Sequence, residues 1–301
     1  MVIINLGSIN IDHVYQVPDF VKPGETLSST DYQQVLGGKG ANQSIALAHA
    51  GGTVKHIGKI NASDTGLMAQ LTGAGVDCRY MLESEQPTGH AIIQVANSGE
   101  NSIVLFAGAN RDIQPEQIQQ AIQDLSPGDW VLTQNETNGI AELMQLAKQQ
   151  HLKVAFNPAP MNEQVLSLPL DLVDLFIVNE VEAADLAGST DLAAIETYFR
   201  DNFSHAEVII TLGKSGVIML RENERIEVPA FKVEAVDTTA AGDTFIGFFL
   251  ANYTNSNNAQ TALVSACAAS ALAVTRHGAA PAIPTADEVA LFLTQHSKRI
   301  P

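Results

Sequence analysis

Four short segments carry residue types that could bind phosphate or move a proton. The first is Gly37-Gly38-Lys39-Gly40-Ala41-Asn42, followed by a helical pattern over 43–50. Consecutive glycines let the backbone approach a ligand closely and present amides at a helix start. The spacing Gly-x-x-x-x-Gly-Lys-Ser/Thr is absent, so this is not a Walker A loop. A tight turn into a helix accounts for these glycines equally well. The second is Asp237-Thr238-Thr239-Ala240-Ala241-Gly242-Asp243-Thr244-Phe245, preceded by a strand-like run over 233–236. A helix is expected from near Ala240, and its free first-turn amides would face a ligand at the strand's carboxyl end. Ala240, Ala241 and Gly242 are small enough for a phosphoryl oxygen to reach those amides. Asp243 would project from the first turn, as a reactive carboxylate or as a partner of the helix dipole.

The third segment, Asn179-Glu180-Val181-Glu182, follows the apolar run 175–178. Its oxygens suit Mg²⁺ held through water, and suit the start of a helix as well. The fourth, Thr211-Leu212-Gly213-Lys214-Ser215-Gly216, also follows a strand-like run. Its glycines and hydroxyls fit a triphosphate or a simple hairpin turn.

The elements that must position these segments alternate along the chain. Buried-strand patterns occur at Val2–Leu6, 54–57, 130–132, 154–156, 175–178 and 208–212. Amphipathic helical patterns lie between them, for example over 140–150 and 191–200. Three helices are expected near the end, over 240–252, 259–275 and Ala286–Gln295. This alternation predicts an α/β fold with a mostly parallel sheet. Residues 11–36 and 88–107 break the rhythm as strand pairs without helices, the second turning at Asn97-Ser98-Gly99-Glu100. They are expected to form one small antiparallel sheet acting as a lid beside the first glycine segment. No linker or repeat divides the chain, so a single domain over 1–301 is expected.

The chain has 301 residues, with 16 Lys and Arg against 33 Asp and Glu, a formal charge of −17. Such a surface repels nucleic acid and anionic membranes. Only Cys78 and Cys267 occur, far apart and without metal-ligand spacing, which suits a reducing cytoplasm rather than a disulfide framework. Residues 1–10 lack the pattern of a signal peptide, and the apolar stretch 262–274 is too short to span a bilayer. A soluble cytoplasmic protein is expected. Arg111 is expected to face solvent.

Taken in order, the motifs resemble those of the ribokinase family of carbohydrate kinases, also called the PfkB family. They are Gly7-Ser8-Ile9-Asn10-Ile11-Asp12, GGKGAN at 37–42, NPAP at 157–160, NEVEA at 179–183, TLGKSG at 211–216, DTTAAGDTF at 237–245 and VTRHGA at 274–279. The resemblance spans essentially the whole chain. It implies a three-layer fold with a β lid, and transfer of the γ-phosphate of ATP to a primary hydroxyl, with D-ribose as the acceptor. Asn10, Asp12, Gly38, Lys39, Asn42 and Glu136 match the polar set that holds the sugar. Asp243 matches the base, and the amides of Ala240, Ala241, Gly242 and Asp243 the anion hole. Asn179 and Glu182 match residues that organise Mg²⁺ and its waters. Thr211, Gly213, Lys214, Ser215 and Gly216 match the nucleotide loop, with Gly242 beside it and Cys267 near the adenine site. K⁺ is implied beside the anion hole, on the Asp237 side chain and carbonyls near Thr239, Ala273, Arg276 and Gly278. Ala282 follows Pro281 where relatives often carry serine, so one K⁺ ligand is missing or replaced by water.

Other acceptors within the family are a nucleoside, deoxyribose or fructose. A nucleoside would need an apolar wall, for which Tyr15, Phe20, Tyr32 and Phe106 are available in the lid segments. A sugar phosphate would need basic residues beyond Lys22, Lys39 and Arg111. A non-catalytic sugar-binding relative would have no use for Asp243 and Glu182. A dinucleotide oxidoreductase is disfavoured by the absence of Gly-x-Gly-x-x-Gly after the first strand. The lid segments are compatible with a homodimer.

Overall fold

The computed structural model describes residues 1–222 and 224–296; residues 223 and 297–301 of the expected 1–301 domain lie outside them. Chain order begins β1 (Val2–Leu6), β2 (Asn10–Val17), β3 (Asp31–Gly37), α1 (Lys39–His49), β4 (Thr53–Asn61), α2 (Gly66–Gly73) and β5 (Asp77–Ser84). It continues β6 (Gly89–Ala96), β7 (Asn101–Phe106), α3 (Pro115–Ile122), β8 (Trp130–Gln134), α4 (Ile140–Gln149), β9 (Lys153–Asn157) and β10 (Leu175–Asn179). The remainder is α5 (Glu180–Ala187), α6 (Leu192–Asn202), β11 (Glu207–Thr211), β12 (Val217–Arg221), β13 (Glu224–Val228), α7 (Ala241–Ser256), α8 (Ala259–Ala273) and α9 (Ala286–Gln295).

Nine strands form the main sheet in the order β13-β12-β11-β10-β9-β8-β1-β4-β5, parallel except for the β11–β12 and β12–β13 pairs. The central strands β1, β8, β9, β10 and β11 are rich in buried Val, Ile, Leu and Phe because both faces are covered. Ile3 packs with α1, α2, α7, α8 and α9 on one face, while Ile4 and Leu6 pack with α3, α4, α5 and α6 on the other. The expected three-layer α/β architecture is present. From β1 the chain first adds strands on one side, β4 and β5, and then on the other, β8 through β11. This reversal opens a crevice at the carboxyl ends of the strands, where ligands of such sheets bind.

The two excursions form the second sheet, in the order β3-β2-β6-β7. It is mixed, not antiparallel as expected, because β2 and β6 pair in parallel. Each excursion is an outbound strand followed by a returning one. The two outbound strands lie side by side at the centre, so they run the same way. Residues 233–236 also depart from expectation, forming no strand. The N–H groups of Val236 and Asp237 instead donate to Val274 O at 2.7 and 3.1 Å. Val233 lines a cavity and packs against the core, while Val236 is exposed, so neither pairs in the sheet.

Among the described residues no helix is long and apolar enough to cross a membrane. Cys78 and Cys267 are both free.

Candidate active site

The parallel strands end on polar side chains. Gln134 of β8 pairs in register with Asn157 of β9, and Asn179 of β10 with Thr211 of β11. Each follows a run of buried apolar residues, so the polarity begins where the sheet meets the crevice. On β1 the equivalent place is Gly7-Ser8. A Cβ on Gly40 would lie 2.3 Å from Gly7 Cα, so two glycines let α1 start directly against the end of β1.

Asp243 sits in the first turn of α7 and is buried. The preceding residue of the turn, Ala240, has φ +59, a left-handed conformation that costs an alanine ~1–2 kcal/mol. No side chain caps this helix. The Ala241 N–H reaches Thr238 O at 3.3 Å. The N–H groups of Ala240, Gly242 and Asp243 have no partner among the described residues. Strained backbone that leaves helix-start amides free is the arrangement an anion site requires.

Two cavities share this helix start. The larger, about 560 Å³, is lined by Thr211, Gly213, Lys214, Gly216, Phe231, Phe245 and Cys267, among others. Burial pushes the Cys267 thiol up to about 12, so it lies there as a neutral, apolar contact. The smaller, about 230 Å³, contains Asp243, Lys39, Asn157, Asn179 and Glu182. Thr211, Thr238, Ala241 and Gly242 line both. Ser215 lines neither; its N–H donates to Leu212 O.

The expected sugar-binding residues come together on the α1 side of Asp243. Asn42 Nδ2 donates to Asp243 Oδ2 at 3.1 Å, while Asn42 Oδ1 is buried without a partner. Glu136 lies in the turn after β8 and accepts from the Lys39 N–H at 3.1 Å and from the Ser8 hydroxyl. Burial holds its carboxyl above the usual range, although Lys39 opposes this. Burial, with Glu136 nearby, pushes Asp12 up to about 6. Burial works against the Lys39 ammonium, but Asp243, Glu136 and Glu182 outweigh it and raise the pKa. Gly38 adopts φ +92 where a Cβ would meet Ser8 O at 2.9 Å. Asn10 is held by Asn110, whose Nδ2 donates to its Oδ1 at 2.8 Å. Arg111 is exposed, as expected, with Nη1 donating to Thr137 O at 3.1 Å.

The third segment starts a helix. Asn179 Oδ1 caps α5, accepting from the Val181 and Glu182 N–H groups. Glu182 Oε2 accepts from the Asn179 N–H and from Asn157 Nδ2. Its carboxylate still lines the smaller cavity, and burial raises its pKa. Among the described residues no three His, Cys, Asp or Glu side chains form a metal cluster. This donor set fits a hydrated ion rather than an all-protein cage.

The Asp237 carboxylate joins the loop before α7 to the loop after α8. Its Oδ1 accepts from the Thr239 N–H and hydroxyl at 2.9 and 2.6 Å, and its Oδ2 from the Gly278 N–H at 2.9 Å. Burial opposes ionisation, but these donors keep the carboxyl below its ordinary range. Ala273 O accepts from the Arg276 N–H, and the Arg276 guanidinium pairs with Glu288. The oxygens expected around a monovalent cation therefore lie on joined segments, with Asp237 already satisfied by internal donors.

Sequence reasoning missed Gln43, Gln134 and Asn157, which bond around Asp243. Gln43 had a signal in its position directly after Asn42, and Asn157 in opening the NPAP motif at 157–160; Gln134 had only its place at a strand end.

A family model described as pfkB family carbohydrate kinase matches residues 3–286. The chain belongs to that family. This PfkB kinase is 40% identical over 299 residues to ribokinase of Haemophilus influenzae, covering 96% of this chain and 97% of that protein. It is 29% identical to deoxyribokinase of Salmonella typhi, covering 96% and 97%. Ribokinase of Thermotoga maritima has a similar structure, with TM-score 0.86 and 34% identity over 98% of this chain and 99% of that one. Ribokinase of Arabidopsis thaliana, solved with ribose and ATP, gives TM-score 0.84 and 27% identity over 97% and 98%.

Proposed function

We propose that this PfkB kinase transfers the γ-phosphate of ATP to the 5-hydroxyl of D-ribose, giving ribose 5-phosphate. The observation that carries the reading is the uncapped start of α7, shared by a nucleotide-sized cavity and a polar one holding Asp243. ATP occupies the larger cavity with its phosphates directed at the free amides. Asp243 accepts the hydroxyl proton as that oxygen attacks phosphorus, and the amides stabilise the charge on the transferring group. Lys39, surrounded by carboxylates, adds a fixed positive charge beside the transfer.

The acceptor is read from the small sheet. Asn10 and Asp12 share one face of β2, and pairing puts Gly89, Ala91, Ile93, Ile103 and Leu105 with them. Tyr15, Tyr32, His90 and Phe106 stand with His13 on the opposite face. No aromatic ring of these four strands shares the face of Asp12, which weighs against a nucleoside base there. The buried, unpaired Asn42 Oδ1 supports a hydroxyl-bearing ligand. Sites built to pair hydroxyls discriminate strongly against analogues lacking one.

Glu182 would hold Mg²⁺ through water near Asn179, and Asp237 with neighbouring carbonyls would hold K⁺. The first supplies charge neutralisation at the phosphates, the second rigidity at the loop before α7. Ile103, Val104, Leu105 and Phe106 on edge strand β7 are 47–66% exposed. This apolar edge supports a homodimer through the lid, which light scattering of the purified protein checks.

ATP turnover with Mg²⁺ against D-ribose, 2-deoxyribose, fructose and nucleosides tests the acceptor. A strong preference for ribose is expected. Preference for another acceptor overturns the ribose assignment and keeps the kinase; no turnover with any acceptor overturns the reading.

A further inference from the structure

Gln43 is fully buried at a place where a core helix would ordinarily carry an apolar residue. Its Nε2 donates to Asp243 Oδ1 at 2.9 Å and to Asn157 Oδ1 at 3.3 Å, and its Oε1 accepts from Gln134 Nε2 at 2.7 Å. Each neighbour is itself constrained. Asn157 Nδ2 donates to Ile177 O at 2.9 Å, so its oxygen must face Gln43. Gln134 Nε2 also donates to Asn5 Oδ1 at 3.0 Å. Asn5 Nδ2 is held by Gly40 O and by Ser44 Oγ, both at 2.9 Å.

The chain of bonds ends on a group with one possible polarity. Ser44 Oγ bonds His56 Nδ1 at 2.8 Å, and His56 Nε2 bonds Gly7 O at 3.1 Å. A carbonyl only accepts, so His56 carries its proton on Nε2 and receives the Ser44 hydroxyl at Nδ1. Complete burial pushes this imidazole down to about 4, keeping it neutral. Every amide between His56 and Asp243 is thereby oriented from both ends. Gln43 can present only its NH₂ group to the carboxylate.

We propose that Gln43 is a positioning residue that fixes Asp243 Oδ1 and leaves Oδ2 to take the acceptor's proton. The inference rests on the reading of Asp243 as the base. Asn42 Nδ2 is the donor on Oδ2, at 3.1 Å, and Asn42 belongs to the sugar-binding set. Sugar can therefore replace that contact, whereas Gln43 is locked by the network. A carboxylate held by one rigid donor cannot rotate away from the attacking hydroxyl, and small misplacements of this kind are expensive in rate.

The experiment compares Gln43→Met, Gln43→Glu, Asp243→Asn and the double variant Asp243→Asn/Gln43→Met in steady-state turnover. Gln43→Met removes the donor, and Gln43→Glu keeps the shape but replaces the fixed amide donor by a second acid against Asp243, so either variant serves if the other folds poorly. Each is expected to lower kcat roughly 10- to 100-fold, the size of one hydrogen bond to a charged group, with KM values changed less than about threefold. Because Gln43 acts through Asp243, the double variant is expected to be no slower than Asp243→Asn alone. Wild-type kcat in both Gln43 variants overturns the inference while leaving the base in place. A further loss of about tenfold in the double variant also overturns it, showing that Gln43 acts independently. Full activity in Asp243→Asn overturns the base reading and the inference with it.

Discussion

Gly247 of α7 packs against Ala46 of α1 with no room for a side chain. A Cβ on Gly247 would lie 2.4 Å from Ala46 Cβ and 2.6 Å from the Leu47 nitrogen. One turn earlier on each helix, Asp243 meets Asn42 and Gln43. The glycine thus sets the distance at which the carboxylate and its amides meet. Gly247→Ala is expected to destabilise the fold by ~1–3 kcal/mol through overpacking. It is also expected to lower kcat, because the helices must part near the site. Thermal unfolding and turnover of the variant check this; an unchanged Tm and kcat would show that the helices yield freely.

Asp243→Asn preserves shape and removes proton acceptance. Turnover should fall roughly 10²- to 10⁴-fold, the usual contribution of a general base. Affinity for ATP and ribose, measured by calorimetry, should hold, because the amides and the sugar-binding set remain. Wild-type turnover would remove Asp243 from the mechanism.

Asp12 predicts a trade between stability and binding. Its folded-state pKa is pushed up to about 6 against an ordinary 3.8. Between those values the folded state holds more protons than the unfolded one, so this group's contribution falls as pH rises through the window. At neutral pH the buried charge costs on the order of 2–3 kcal/mol. Asp12→Asn should therefore raise Tm at pH 7.5, the gain shrinking towards pH 4, while the KM for sugar rises. An unchanged Tm at pH 7.5 would show that Asp12 is relieved by solvent.

His56 acts in the opposite direction. Its folded-state pKa is pushed down to about 4 from an ordinary 6.5 by complete burial. The unfolded state then binds more protons between pH 6.5 and 4, and stability from this group is lost as pH falls through that window. Denaturant unfolding at pH 7 and pH 4.5 should show the loss, with the His56 imidazole neutral by NMR until unfolding. A protonated His56 in folded protein at pH 6 would contradict it.

Asp237 bridges Thr239 and Gly278 by hydrogen bonds. Turnover is expected to rise when K⁺ replaces a bulky organic cation, and Asp237→Ala should abolish the response. Equal rates in both salts would remove K⁺ from the mechanism and leave Asp237 as a clamp between the loops.

Six strands of the main sheet were legible because each contains a short apolar run, as in Leu175–Asn179; the edge strand β5 and the β12–β13 hairpin were not named, since β5 and β13 mix charged and apolar residues. The start of α7 near Ala240 was legible from its small residues. The left-handed turn at Ala240 was not, since alanine gives no sign of positive φ. The run 233–236 misled because a valine such as Val233 suits a cavity wall as well as a strand. The parallel β2–β6 pairing was hidden because it joins segments separated by more than seventy residues, and local patterns carry no information about such partners.

Composition and motif order determined the α/β class, the family resemblance, and the positions of Asp243, Asn42, Glu136 and Glu182. These follow from local periodicity and from residue types near one another in the chain. Tertiary structure alone decided that Gln43, Gln134, Asn5, Ser44 and His56 form one directed network ending on Asp243. It also decided that the small sheet's aromatic rings stand on the face opposite Asp12. The physical reason is the same in both cases. Hydrogen-bond direction and sheet-face assignment depend on which distant segments pack together, and one buried glutamine reads in sequence like any other.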